Sequence, residues 1–190
     1  MILAFVGYRH YIKKPKERRA QEEMFMAERY FEKDSVQLAL FGDGVNLGFV
    51  DIIEEYGNTA SGNLARYYAG ILYLNNGEFE NAIDVLEDFD ADDELVGPTG
   101  LGLLGDAYIE TGDIEKAAEL YVDAADLSDN NHTAPRYLLR AGKTYEMLLE
   151  DPETALGIYK RIKKEYPSTL EGSIIDKYIA RVETKLPSGS

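Results

Sequence analysis

The 190-residue chain has no cysteine, no tryptophan, six prolines and two histidines, His10 and His132. Without cysteine there is no disulfide framework, thiolate nucleophile, thiol redox motif or cysteine-ligated zinc or iron–sulfur site. Two histidines 122 positions apart can form neither an HExxH helix nor a three-histidine metal site. Long hydrophobic runs are also missing. Met1 to Tyr8 is apolar, but eight residues rise only about 12 Å as a helix, and a bilayer takes roughly 20 residues to cross.

Basic residues are scarce through most of the chain. Residues 1–19 carry six basic and one acidic side chain, residues 20–130 four basic and 26 acidic, and residues 131–190 ten basic and eight acidic, for a net charge of −15. So acidic a body repels a phosphate backbone, and nucleic acid is not an expected partner. The apolar start followed by Arg9, Lys13, Lys14 and Lys16, with Tyr8 and Tyr11 between, has the order of an anchor helix end and its basic collar. Residues 1–16 are therefore expected to be a truncated membrane-anchor end and linker. The rival expectation is an amphipathic helix packed on the domain. Residues 186–190 read as a flexible tail.

From residue 17 onward the pattern is helical, broken by Gly, Asn and Asp turns, with no sustained alternation of β-branched residues. Three segments repeat one plan. Gly70, Gly105 and Gly142 stand 35 and 37 residues apart, and Tyr73, Tyr108 and Tyr145 share that spacing. Ala82, Ala117 and Ala155 are 35 and 38 apart. The extra residue of the last step falls in the turn after Leu149, where a loop absorbs it.

These columns resemble the tetratricopeptide repeat, which has a small residue midway along its first helix, an aromatic three positions on, a turn Gly, an aromatic opening the second helix and Ala three residues later. Gly70, Tyr73, Gly77, Phe79 and Ala82 follow that plan; Gly105, Tyr108, Gly112 and Ala117 follow it with Ile114 in place of the aromatic. Gly142, Tyr145, Ala155 and Pro167 follow it without the turn glycine or the opening aromatic. The resemblance implies an all-α fold, a right-handed α-solenoid of helix hairpins with a C-terminal capping helix. The expected parts are a degenerate hairpin over 17–58 with a long elbow near 40–47, repeats at 63–96, 98–131 and 135–168, and a cap at 169–184. Gly70 and Gly105 each cost about 1 kcal/mol of helix propensity against Ala, so their recurrence points to helices in close contact.

In this family the first helices line the ligand-facing surface. That mapping selects Leu64, Tyr67, Ile71 and Leu74, then Thr99, Gly102, Asp106 and Glu110, then Arg136, Leu139, Lys143 and Met147, with Arg140 beside them. The basic set Arg136, Arg140 and Lys143 falls within one repeat, so a carboxylate clamp spread over successive repeats is not the expected mode. A mixed apolar and acidic surface for a segment of another protein is expected instead. The acidic stretch 88–94 lacks the Gly and Glu spacing of a calcium loop, and 42–48 lacks a phosphate-loop lysine. No acid/base pair or activated nucleophile stands out, so neither an enzyme nor a cofactor or metal is expected.

Anchor, collar and repeats together resemble the bacterial single-pass inner-membrane proteins with a periplasmic tetratricopeptide domain, such as the ancillary subunit of the secretion translocon, with similar layouts in Bacteroidetes. The resemblance implies a membrane-anchored, chaperone-like scaffold facing the periplasm that holds clients or translocon partners. Two other expectations stand beside it: a soluble cytoplasmic adaptor, and an outer-membrane assembly lipoprotein.

Overall fold

The computed structural model describes residues 14–94 and 96–186, and every regular element among them is a helix. Of the expected anchor end and linker over 1–16, residues 1–13 lie outside that range and 14–16 are helical; of the expected tail 186–190, residues 187–190 lie outside it. The chain divides into two compact units, one ending at Asp90 and the other beginning at Ala91. The first holds α1 (Lys14–Glu32), α2 (Val36–Phe41), α3 (Phe49–Tyr56), α4 (Ala60–Asn76) and α5 (Phe79–Glu87). The second holds α6 (Val96–Thr111), α7 (Ile114–Asp126), α8 (Ala134–Met147), α9 (Pro152–Glu165) and α10 (Leu170–Glu183).

Side-chain caps set several helix starts. Thr59, Asp113, Asp151 and Thr169 precede α4, α7, α9 and α10, and each accepts a hydrogen bond from the backbone N–H three residues on. Such a cap is worth about 1 kcal/mol. At α4 the Glu17 carboxylate adds a second set of contacts, accepting from the N–H groups of Ala60 at 2.7 Å and Ser61 at 3.1 Å. An anion at a helix N-terminus is favoured by the dipole, and this one ties α1 to α4.

The ends of the first helices of each hairpin repeat more closely. The carbonyls of Tyr73, Tyr108 and Tyr145 accept the closing hydrogen bonds from the N–H groups of Glu78, Asp113 and Asp151. Just before each donor stands a residue with positive φ: Gly77 at 77°, Gly112 at 91° and Glu150 at 53°. Glu150 thus occupies the left-handed position that glycine fills in the other two turns. A side chain there costs about 1–2 kcal/mol. Glu150→Gly is therefore expected to stabilise the protein by about 1 kcal/mol, read as a rise in Tm of about 2–4 °C.

In the first unit the second half of the opening hairpin is interrupted. The expected elbow is centred on 40–47, but Leu40 and Phe41 still belong to α2 and the loop covers 42–48. Asp43 organises it. Its carboxylate accepts from the N–H groups of Val45 (2.8 Å) and Asn46 (2.7 Å) and from the Tyr30 hydroxyl on α1 (2.6 Å). The backbone hydrogen bond from Asn46, then those from Tyr30, the Asn46 side chain and Val45, hold its carboxyl well below the usual range.

The recurring mid-helix glycines sit at helix crossings. A Cβ added at Gly70 would stand 2.6 Å from Leu86, one at Gly105 2.8 Å from Tyr121, and one at Gly142 2.3 Å from Tyr159. Each partner lies on the second helix of the same hairpin, so the missing side chain is what lets the two helices close. Alanines 65, 69, 107, 117, 118, 141 and 155 are fully buried around these crossings. Tyr73 is buried, whereas Tyr108 and Tyr145 are only half-buried at the margin of the second unit's core. The fold class is all-α: stacked helix hairpins, with α10 covering the last of them.

Candidate functional site

Within the second unit, the tyrosine that crosses a glycine reaches further, to an acid on the first helix. Tyr121 donates to Asp106 at 2.5 Å and Tyr159 donates to Glu146 at 3.0 Å. Each acid is then gripped by an arginine from the next first helix. Arg140 meets Asp106 through both guanidinium nitrogens at 2.8 and 2.9 Å. Arg181 meets Glu146 at 2.5 and 2.7 Å, and Lys185 adds a contact at 2.9 Å. Two latches, Tyr121–Asp106–Arg140 and Tyr159–Glu146–Arg181, therefore fasten α6 to α8 and α8 to α10. The first unit has no equivalent at its crossing, because Leu86 takes the place of the tyrosine.

Burial sets the chemistry of the second latch. Glu146 is 3% exposed. Burial pushes its carboxyl up, but hydrogen bonds from Arg181, Lys185 and Tyr159 outweigh this and hold it at about 2. Burial, then the bond to Glu146, raises the Tyr159 phenol well above its ordinary value. The Tyr121 phenol rises for the same two reasons, with Asp106 as its acid. A further phenol, Tyr166, is pushed to about 12 by burial and by its 2.7 Å hydrogen bond to Asp129. None of these groups titrates near neutrality. They brace helices.

The expected ligand-facing residues consequently divide. Leu64, Tyr67, Ile71 and Leu74 lie on α4 in the first unit, all half-buried. Tyr67 packs against the rings of Tyr68 and Phe89, at 5.8 and 6.0 Å between centroids. The others lie in the second unit. Asp106 and Arg140 are engaged with each other, and Gly102 is a crossing point, since a Cβ there would lie 2.1 Å from the Tyr137 ring. Leu139 packs on the core and Thr99 is half-buried. Glu110, Arg136, Lys143 and Met147 remain open to solvent, Met147 at 59%.

Sequence reasoning missed the contribution of α10, which it treated as closure alone. Lys143 of α8 sits 5.6 Å above the Tyr178 ring of α10, and Lys177 and Arg181 approach the same ring at 5.0 Å each. The basic residues at 177, 181 and 185, spaced one helical turn apart, were the available signal. Beyond the end of α8 an open hollow of about 520 Å³ is lined by Glu146, Met147, Glu150, Pro152 and Lys185. Its buried carboxylate is already satisfied by the latch. The acidic stretch 88–94 supplies turn contacts: Asp90 pairs its backbone with the Asn63 side chain, and Asp93 accepts from the Val96 N–H. No three His, Asp or Glu side chains among the described residues are grouped to hold a metal.

The tetratricopeptide-repeat family model matches residues 64–91 and 136–169. No curated protein matches the chain. Among solved structures, the nearly identical TPR-like repeats of a putative kinesin light chain from the fungus Podosopora anserina align with a TM-score of 0.61 at 14% identity, covering 87% of this chain and 86% of that one. A singly substituted form of those repeats gives a TM-score of 0.61 at 15% identity, with 87% and 85% covered. At such identity the likeness is one of fold. Repeats of this kind are non-catalytic scaffolds.

These matches correct the envelope expectation. The aligned folds come from a putative fungal kinesin light chain, not from a bacterial inner-membrane translocon subunit. The inner-membrane, periplasm-facing assignment is withdrawn, and so are the membrane-anchored scaffold and the outer-membrane lipoprotein. No helix among the described residues is long and apolar enough to cross a membrane.

Proposed function

We propose that the chain is a non-catalytic adaptor of the soluble cytoplasmic kind, which binds segments of other proteins on the exposed faces of its first helices. The observation that carries this reading is the repeated crossing of Gly70, Gly105 and Gly142 against Leu86, Tyr121 and Tyr159. Hairpins locked this closely hold their outer side chains in fixed positions, so a partner meets a preorganised surface and less entropy is lost on binding. The residues proposed to meet partners are Glu110, Arg136, Lys143 and Met147 in the second unit, and Leu64, Ile71 and Leu74 at the margin of α4 in the first.

Photocrosslinking tests the surface. A crosslinker at Glu110, Arg136, Lys143 or Met147 is expected to trap the same protein from each position in intact cells. One at Glu153 or Lys160, exposed on the second helix α9, is expected to trap none of it. Trapping from α9 alone would place the partner on the other face. Fractionation of the same cells checks the location, with the protein expected entirely in the soluble phase.

A further inference from the structure

Aromatic rings in the first unit form a chain from α1 to the residues just past α5. Phe31 lies 5.0 Å from Tyr68 and 6.4 Å from Phe49, and Tyr68 stacks on Phe49 at 5.2 Å. Tyr67 carries the chain on to Phe89 at 6.0 Å. Phe49 is fully buried, whereas Phe31, Tyr67, Tyr68 and Phe89 stay partly open to solvent. Leu64 and Ile71, one turn to either side of the two tyrosines, are partly open as well, so α4 shows a continuous apolar stripe.

Carboxylates border that stripe on the α1 side. Glu28 stands three residues before Phe31 and Glu32 one residue after it, which places the two acids one turn apart. Among the described residues, the charges that act on the Tyr68 phenol are these two, and after burial they raise it further. Burial first, and then Glu32, push the Glu28 carboxyl above its usual value. Neither carboxylate has a Lys, Arg or His of a described residue within 4.0 Å. The second unit shows what completes such an arrangement: the acids beside Tyr121 and Tyr159 are each gripped by an arginine. In the first unit no arginine of a described residue fills that role.

We propose that this face docks an arginine-bearing segment of a partner protein, with the guanidinium between Glu28 and Glu32 beside Tyr68 and apolar neighbours resting along Leu64, Tyr67 and Ile71. The inference rests on the adaptor reading and names the chemistry of the ligand at the first unit. A guanidinium suits the place better than an ammonium. Its planar fork meets two carboxylates, and its weak hydration tolerates aromatic surroundings. Residues 20–130 carry four basic and 26 acidic side chains, a field that draws a basic segment in from a distance.

The test is fluorescence anisotropy with the full chain and three labelled peptides of alternating sequence: Leu-Arg, Leu-Lys and Leu-Gln. The Leu-Arg peptide is expected to bind most tightly, and less so as salt rises. Glu28→Gln combined with Glu32→Gln is expected to weaken it tenfold or more. Tm is expected to hold or rise in that variant, because two like charges one turn apart are removed. Glu115→Gln with Glu119→Gln, an exposed pair of the same spacing on α7, is expected to leave binding unaltered. Unchanged binding in the Glu28/Glu32 variant, or an equal loss in both variants, overturns the proposal. Equal binding of the Leu-Arg peptide and either of the others does the same. A dimer in sedimentation velocity that the Glu28/Glu32 variant dissociates also overturns it, by assigning the face to the basic residues 9–19 of a second copy. If the Leu-Arg peptide fails while the crosslinkers on α8 still trap one partner, the arginine inference falls and the adaptor reading stands.

Discussion

Replacing Glu146 by Gln is expected to destabilise the protein by on the order of 3 kcal/mol at neutral pH, a fall in Tm of roughly 6–12 °C for a chain of this size. The carboxyl sits at about 2 in the folded chain against an ordinary 4.5, so the folded state prefers its charged form. That preference contributes fully above about pH 4.5 and is lost as pH falls through 2. Denaturant melts of the wild type and Glu146→Gln should therefore differ most near pH 7 and converge towards pH 2. A gap that does not change with pH would mean that packing, not charge, explains the loss. The Asp106–Arg140 latch is more exposed, at 28% and 41% of the side chains. Its removal is expected to cost no more than about 1 kcal/mol.

Gly142→Ala is expected to be nearly as damaging. The new methyl would stand 2.3 Å from the Tyr159 ring, and Tyr159 cannot yield because it is fully buried and tethered through its hydroxyl to Glu146. Overpacking of this kind costs about 1–3 kcal/mol, set against a gain of up to about 1 kcal/mol in helix propensity. Gly157 is the built-in control. It lies on α9, is exposed, and has nothing within 4 Å of the position a Cβ would take. Gly157→Ala is expected to stabilise the protein by about 0.5–1 kcal/mol. The two substitutions make the same chemical change and should shift Tm in opposite directions. A similar rise for both would show that α8 and α9 do not close on Gly142.

Much of the fold was legible because the hairpin contacts are periodic in the chain. Gly70, Gly105 and Gly142 mark the crossings, Tyr73, Tyr108 and Tyr145 mark the helix ends, and each could be found by counting. The lost turn glycine of the third repeat was visible too, although its consequence, Glu150 held at positive φ, needed the backbone. The family mapping selected Arg136, Lys143 and Met147, and the structure shows their side chains exposed. Asp106 and Arg140 came from that mapping too, and nothing in their spacing reveals that they grip each other. The envelope reading failed for a different reason. A short apolar start and a basic collar are weak signals, and the two aligned folds described above come from a putative fungal kinesin light chain instead.

From sequence alone came the all-helical class, the repeat period, the crossing glycines and the absence of thiol and poly-histidine chemistry. Such features depend on residue type at intervals along one chain, and local periodicity dictates them. Only the tertiary structure decided which charges are free. Asp106 is satisfied by a residue 34 positions away, Glu146 by residues 35 and 39 away, and Lys143 reaches a ring on the capping helix. Pairing of charges depends on distances across stacked helices. A −15 chain with 35 acidic side chains offers far too many partners for spacing to choose among them.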